Sequence, residues 1–423
     1  MINKFNFFNS SQITLFLALI IPLLISGPFL PDLIVSLSSL FFLFYILRTK
    51  KFRYFNNKPL IFFFIFCIYC IISSLFSDNI LLSFESSLFF FRIGIFACVI
   101  WYFAEKNDNL ISYFYNAILI CFSVLTFDGY VQYFFGKNLI GLPIYGVRVS
   151  SFFGEELILG SYLSRLFPLL FALFVAKKEK NRFEIYYIGI LFILIDVMIY
   201  ITGERTAFVF LNISTVFIIV LIKKYQYFRL ATFIISILIT LFLTFSSSNI
   251  KNRMITGPIQ DMGLDLKSSQ KYIFTPAHDS LIKTGLNMFL DEPFFGHGPK
   301  MFREKCSNLK YSKGIKPCST HPHNFYIQLL AETGIVGFSF LVSIFCYVVY
   351  NAYRQLKSII FKKQRYLTDY QVCLLAGIFI SVWPFSPNGN FFNNWLAIIY
   401  SLPIGFYLHT LYLKDKDLLK KNK

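Results

Sequence analysis

Two histidines stand two positions apart in the stretch CSTHPHNFYIQLLAETGIVGF, Cys318 to Phe338, just ahead of an apolar run. A neutral imidazole can accept a proton from an attacking hydroxyl, and a charged one can bind a phosphate oxygen. Four of the chain's five histidines, His278, His297, His321 and His323, fall in this part of the sequence, with His409 alone near the end. A zinc site on His321 and His323 with an acidic third ligand is the alternative chemistry. The His-Pro-His spacing is not the i, i+4 pair that a helix offers a metal, so no metal and no cofactor is expected.

Arginines supply the complementary charge. Arg205, in YITGERTAFVF, sits in a turn of a few residues between two apolar runs, and Arg148, in YGVRVSSFFGEELILGSYLSR, lies in another connecting segment. Arg165 and Arg92 fall at the head of one apolar run and inside another, where a charge is costly without a partner. Glu85, seven residues before Arg92, shares its helical face, so an ion pair or a bridge to another helix is the expected use of Arg92; Asp196 is ambiguous in the same way.

Cysteines divide into two groups. Cys67, Cys70, Cys98, Cys121, Cys346 and Cys373 lie inside apolar runs and read as small hydrophobes, the Cys67/Cys70 pair included. Cys306 and Cys318 flank SNLKYSKGIKP in a long polar segment and are the candidate disulfide, which would fix the approach to His321 and His323.

The elements that must position these groups are membrane helices. Of 423 residues, 56% are hydrophobic and 55 are Phe, in repeated runs near the roughly 20 residues that cross a bilayer. Continuous rather than alternating apolarity selects helices over a barrel. The fold class is therefore all-α and polytopic, with about twelve spans, near 11–27, 30–47, 59–76, 84–104, 110–127, 160–176, 184–202, 206–222, 228–246, 326–349, 369–385 and 394–413. The first run lacks a small-residue cleavage site and is kept as a span. Threading twelve spans collects RTKKFRYFNNK, KKEKNRFE, KKYQYFR, RQLKSIIFKKQR and KDKDLLKKNK on one side, which the positive-inside rule makes cytoplasmic, together with both termini. Much of the +18 net charge is then topology and contact with membrane lipids, and no nucleic-acid partner is expected.

Three regions follow: 1–246 with nine spans and an external loop at about 128–159, 247–325 as a large external loop, and 326–423 with three spans and a tail. The large loop carries eleven Lys or Arg against six Asp or Glu, a net +5 that suits either an anionic ligand or a solvated face near anionic lipid. Leu281, Ile282, Gly285, Leu286 and Phe289 predict an amphipathic helix along the membrane face, with Asp279 as its cap and Pro293 at its end. EPFFGHGPKMF follows as a turn, in which His297 is a surface residue or a ligand.

These motifs resemble those of a known family. His323 and Asn324, nine residues, then Gly334, two residues and Gly337 match the pattern His-Asn, nine of any kind, Gly-x-x-Gly of the O-antigen ligase and O-antigen polymerase-like family, bacterial surface-polysaccharide membrane enzymes. TGERTA at Thr202 to Ala207 resembles its arginine turn, and MFLDEPFFGHGPKMF at Met288 to Phe302 its Pro-x-x-Gly-x-Gly segment. The resemblance implies a metal-independent glycosyltransferase of the inner membrane, acting in lipopolysaccharide biosynthesis on its outer face. Its donor would be a glycan on undecaprenyl diphosphate or a similar polyprenyl diphosphate, and its acceptor a hydroxyl of lipid A-core or of another glycan. His323 would be general base or diphosphate contact and Arg205 would bind the donor diphosphate. Arg148, Arg303, His278 and His321 are further candidates for binding substrate. Many members carry an arginine where this chain has His278, so either His278 substitutes, or Arg303 and Lys283 take over. Asn324 would cap the following helix or orient His323, and Gly334 and Gly337 would let that helix pack closely. A polysaccharide polymerase and a protein O-oligosaccharyltransferase share this chemistry; a transporter or flippase is the reading without chemistry.

Overall fold

The computed structural model describes residues 11–266, 268 and 270–421. All twelve expected apolar segments are helical. They are α1 Gln12–Ser26, α2 Phe29–Thr49, α3 Lys58–Leu75, α4 Ile80–Lys106, α5 Leu110–Phe135, α6 Leu159–Ala176, α7 Arg182–Ile201, α8 Arg205–Leu221 and α9 Gln226–Ser246, then, after the loop helix α10 Pro276–Asp291, α11 Phe325–Ile360, α12 Asp369–Ser381 and α13 Asn394–Leu413. Among the described residues nine of these are long and apolar enough to cross a membrane, whereas α1, α8 and α12 are shorter apolar helices. No β-strand occurs among the described residues, only the isolated bridges Lys137 to Pro143 and Tyr145 to Arg148.

Local chemistry sets several helix starts. Asn57 accepts from Leu60 N at 3.0 Å to open α3, and Asn181 accepts from Glu184 N at 2.7 Å to open α7. Thr368 and Gln371 form a reciprocal capping box at α12. α4 is interrupted between Ser87 and Arg92, where the chain turns before resuming.

α6 is central, buried along nearly all of its length, with α12, α8 and α5 packed around it. α13 lies along α4, α4 also against α2, and α9 along α7. The outward faces of α2, α3 and α9 carry exposed Phe, Leu and Ile. Lipid tails are as apolar as these side chains, so burial alone does not select one packing, and polar contacts must contribute. Arg229 on α9 and Asp196 on α7 form a fully buried bidentate pair at 2.8 and 3.0 Å, joined by Thr215 and Ser236. Arg92 pairs with Asp32 of α2 at 2.7 Å. Glu85, expected on the same helical face but separated from Arg92 by the break in α4, instead pairs with Lys300 in the large loop.

Two loop expectations are refined. In the first, the segment from about Asp128 is still helical to Phe135, and irregular chain begins at Gly136. Asp128 is buried there, accepting from Leu139 N at 2.9 Å, Asn138 Nδ2 at 3.1 Å and Ser151 Oγ at 2.6 Å, and so folds the loop back onto its own helix. In the second loop α10 is capped by Thr275 with Pro276 behind it, and Asp279 lies inside the helix, paired with Lys283. α10 packs its buried face, with Leu281, Ile282 and Met288, against α11.

Candidate active site

The head of α11 is built by breaking the helix. Gly334 has φ +60°, and a Cβ there would meet the Phe294 carbonyl oxygen at 2.3 Å. The break releases three carbonyls from their helical donors. His297 N donates to Ala331 O at 3.1 Å, Gly298 N to Glu332 O at 2.8 Å, and Tyr69 Oη to Thr333 O at 2.7 Å. Ile335 N in turn donates to Pro293 O at 2.8 Å. The Pro-x-x-Gly-x-Gly turn and the Gly-x-x-Gly helix are therefore one interlocked unit. Gly334 acts as a kink at which the backbone of Pro293 and Phe294 packs directly against α11, and Gly337 sits over Thr333 of its own helix. His297 is corrected: it is buried, with Nε2 3.0 Å from Met288 O, and so belongs to this framework rather than to the surface.

Ahead of the kink, Asn324 caps α11, accepting from Tyr326 N at 3.0 Å and Ile327 N at 3.2 Å, while its Nδ2 donates to Pro384 O at 2.9 Å. This ties the head of α11 to the loop between α12 and α13. His323 immediately precedes the cap with φ +54°, an uncommon conformation for a side-chain-bearing residue, and its carbonyl accepts from Asn388 N at 2.7 Å. Cys306 and Cys318 are joined in a disulfide, Cα atoms 4.9 Å apart, anchoring the strand of loop that leads to His321.

These elements enclose a cavity of about 1640 Å³. His278, His321 and His323 line it with Arg148, Arg165, Arg205, Arg253 and Arg303, against the carboxylates Glu156, Glu204 and Asp261. The rings of His321 and His323 are 4.1 Å apart and those of His278 and His323 5.5 Å, measured between centroids. Burial depresses the pKa of all three imidazoles, with the neighbouring His323 adding to the effect on His278 and on His321, which is held down to about 3. His323 is thus neutral near pH 7, the state in which an imidazole accepts a proton. His278 Nδ1 is held 2.7 Å from Thr275 Oγ1, and His321 Nδ1 2.9 Å from Thr320 Oγ1.

The arginines differ in how far they are already satisfied. Arg205, the first residue of α8, pairs with Asp261 at 2.9 Å and donates from Nε to Arg253 O at 3.0 Å. Arg148 donates to Leu157 O at 2.8 Å and lies 3.9 Å from Glu204. Glu204 caps α6, accepting from Gly160 N at 2.7 Å and Ser161 N at 3.0 Å. Burial pushes its carboxyl up while Arg148 and those amides pull it back. Arg165 bonds Asn388 Oδ1 at 2.8 Å and the Tyr400 hydroxyl, so it is linked through Asn388 to the backbone of His323. Arg303 lines the cavity with a buried Nε that makes no hydrogen bond. Lys283 does not line it: it is exposed and held by Asp279.

Of the residues singled out from sequence, His278, His321, His323, Arg148, Arg205 and Arg303 thus share one cavity, and Asn324, Gly334, Gly337 and the disulfide support it from outside. Arg253, Asp261, Glu204 and Asn388 were not foreseen. Each reaches the site through a fold-back of the chain, and a lone Arg in a basic loop or an Asn in a polar turn carries no pattern to mark it.

Such a site combines neutral imidazoles with several cations at the ends of apolar helices, which suits an anionic ligand. Residues 188–342 match a family model described as O-antigen ligase, a stretch running from α7 into α11 that includes Arg205, Arg253, His278, Arg303 and His323. No curated protein matches the chain. Over that segment, and in its helical architecture, the chain is similar to the O-antigen ligase family.

Proposed function

We propose that the protein is a glycosyltransferase of the bacterial inner membrane that moves a glycan from polyprenyl diphosphate to the hydroxyl of lipid A-core. The observation that carries this reading is the shared cavity, in which His323 and five arginines meet between helix ends and an overlying loop. In it His323 takes the proton of the acceptor hydroxyl, whose oxygen attacks the anomeric carbon. The bond from that carbon to the diphosphate breaks, and polyprenyl diphosphate leaves with its charge stabilised by Arg205 and by Arg148 and Arg303 around it. The diphosphate bond already carries the activation, so neither nucleotide nor metal is required.

The geometry suits a donor whose parts need different solvents. Its tail stays in the bilayer, its diphosphate lies at the helix mouths and its glycan projects outward. α1, α8 and α12 complete twelve passes in this reading, which leaves both termini in the cytoplasm and the loops after α5 and α9 on the opposite side. The neutral state of His323 favours the base role over that of a diphosphate contact.

The test is a transfer assay with purified protein in lipid, an undecaprenyl-diphosphate oligosaccharide and either lipid A-core or a second donor molecule, comparing wild type with His323→Ala and Arg205→Ala. Product on lipid A-core that is lost in both variants supports ligation; elongated polyprenyl-linked chains assign polymerisation instead. No product on any acceptor, a protein acceptor included, from variants that still complement the cell would leave transport as the better reading.

A further inference from the structure

Arg205 and Arg253 hold each other through a reciprocal backbone clasp. Arg205 Nε donates to Arg253 O at 3.0 Å, and Arg253 Nε donates to Gly203 O at 3.1 Å, joining residues 48 and 50 positions apart. Gly203, at φ +68°, leaves room for this contact: a Cβ there would stand 3.1 Å from Arg253 Cγ and 3.3 Å from its Nε. Each guanidinium therefore spends its Nε on anchoring and keeps its terminal nitrogens for something else. On Arg205 one of them meets Asp261. On Arg253, among the described residues, no carboxylate lies within ion-pair distance.

Two like charges held side by side at a partly buried site are unfavourable unless an anion joins them. The cost is visible here: burial, Arg205 and Arg148 lower the affinity of Arg253 for its proton, and the carboxylates of Asp261 and Glu204 offset this only in part. Both residues line the cavity with His323, and Arg253 is fixed by the backbone, so little ordering remains to be done when a ligand arrives.

We propose that Arg253 is a donor-binding residue, forming with Arg205 a two-armed clamp for the two phosphates of a polyprenyl diphosphate. This deepens the reading of the site as a polyprenyl-diphosphate-dependent transferase and rests on it. One guanidinium grips each phosphate, so the clamp distinguishes a diphosphate from a monophosphate, as donor from carrier lipid. Arg253 reaches this place only because the segment after α9 folds back over the start of α8.

The experiment measures binding of undecaprenyl diphosphate and undecaprenyl monophosphate to the full chain in nanodiscs, for wild type, Arg205→Gln, Arg253→Gln and Arg253→Lys. Wild type should prefer the diphosphate by at least tenfold. Arg253→Gln should lose most of that preference with monophosphate affinity little changed, and Arg253→Lys should recover part of it. If wild type binds neither lipid, the donor reading itself fails; if it binds both equally, the clamp is overturned. If Arg205→Gln abolishes the preference and Arg253→Gln leaves it intact, the donor reading stands and the clamp is overturned. Should the variants not fold, labelling of wild type with phenylglyoxal decides. Undecaprenyl diphosphate should protect the peptide carrying Arg253 and the monophosphate should not; equal labelling under both overturns the clamp.

Discussion

Arg205 and Asp261 form an ion pair of 2.9 Å inside the cavity proposed to take a diphosphate. The carboxylate occupies a nitrogen that an incoming phosphate oxygen would need. Both side chains are partly exposed, at 31% and 42%, so the pair contributes little to folding, about 0–1 kcal/mol. Asp261→Asn should therefore leave stability unchanged and raise kcat/KM for donor by about two- to fivefold, mostly through KM. A fall in kcat/KM would show that Asp261 positions Arg205 rather than competing for it.

Replacing the base should affect turnover rather than folding. His323→Ala is expected to lower kcat by about 10²–10⁴, with donor affinity within a few-fold of wild type. Because burial depresses its pKa below the ordinary imidazole value of about 6.5, His323 is unprotonated at neutrality. Activity should be level from about pH 6.5 upward and fall in more acidic solution as the base is protonated. An inflection above pH 7 that vanishes in His323→Gln would contradict this assignment.

The same burial links stability to pH. With His278, His321 and His323 all depressed, the folded state binds fewer protons than the unfolded state below about pH 6.5. Stability from these groups is fully present above that value and is lost as pH falls toward the folded pKa, about 3 for His321. The melting temperature should drop between about pH 6.5 and 4, and His321→Asn should flatten the drop. An unchanged slope in that variant would remove His321 from the linkage.

At the kink, Gly334→Ala must adopt a left-handed conformation, at a cost of about 1–2 kcal/mol, and also displace the Phe294 carbonyl. Lower thermal stability and loss of transfer are expected together. Gly337→Ala, which meets chiefly the Thr333 side chain, should be milder. Thermal melts of the two variants in lipid compare them directly.

Reduction should weaken the strap that carries His321. The Cys306 to Cys318 bridge spans twelve positions, for which chain-entropy arguments give about 3 kcal/mol. The double Ser variant should be cleaved faster by protease between these positions and turn over more slowly, while the helical signal in circular dichroism is kept.

Much of the helical framework was legible because each run's apolarity is continuous. What hydropathy misses is helix that continues beyond the apolar part. α11 runs on to Ile360 through NAYRQLKSII, whose Arg, Gln, Leu and Lys are good helix formers outside lipid. The catalytic candidates were legible where residue type and local spacing carry the signal, as in His321, His323 and Arg205. They were not legible where the third dimension supplies the neighbour. Arg253 depends on Gly203, Asn388 on His323, and the burial of His297 on a helix broken at Gly334.

The kink at Gly334 also divides α11 by allegiance. Residues 325–333 are sewn by hydrogen bonds to the 293–298 turn and to Tyr69 of α3, Ile335 N reaches back to Pro293 O, and beyond it the helix follows the bundle. The short upper piece, with His323 at its head, is held by the loop, by Tyr69 of α3 and, through Asn324, by the segment after α12, so a tilt of the lower piece can be taken up at the kink. Changes in bilayer thickness that lean the long helix would then leave the imidazole in register with the arginines, giving the cavity tolerance to the lipid composition around it.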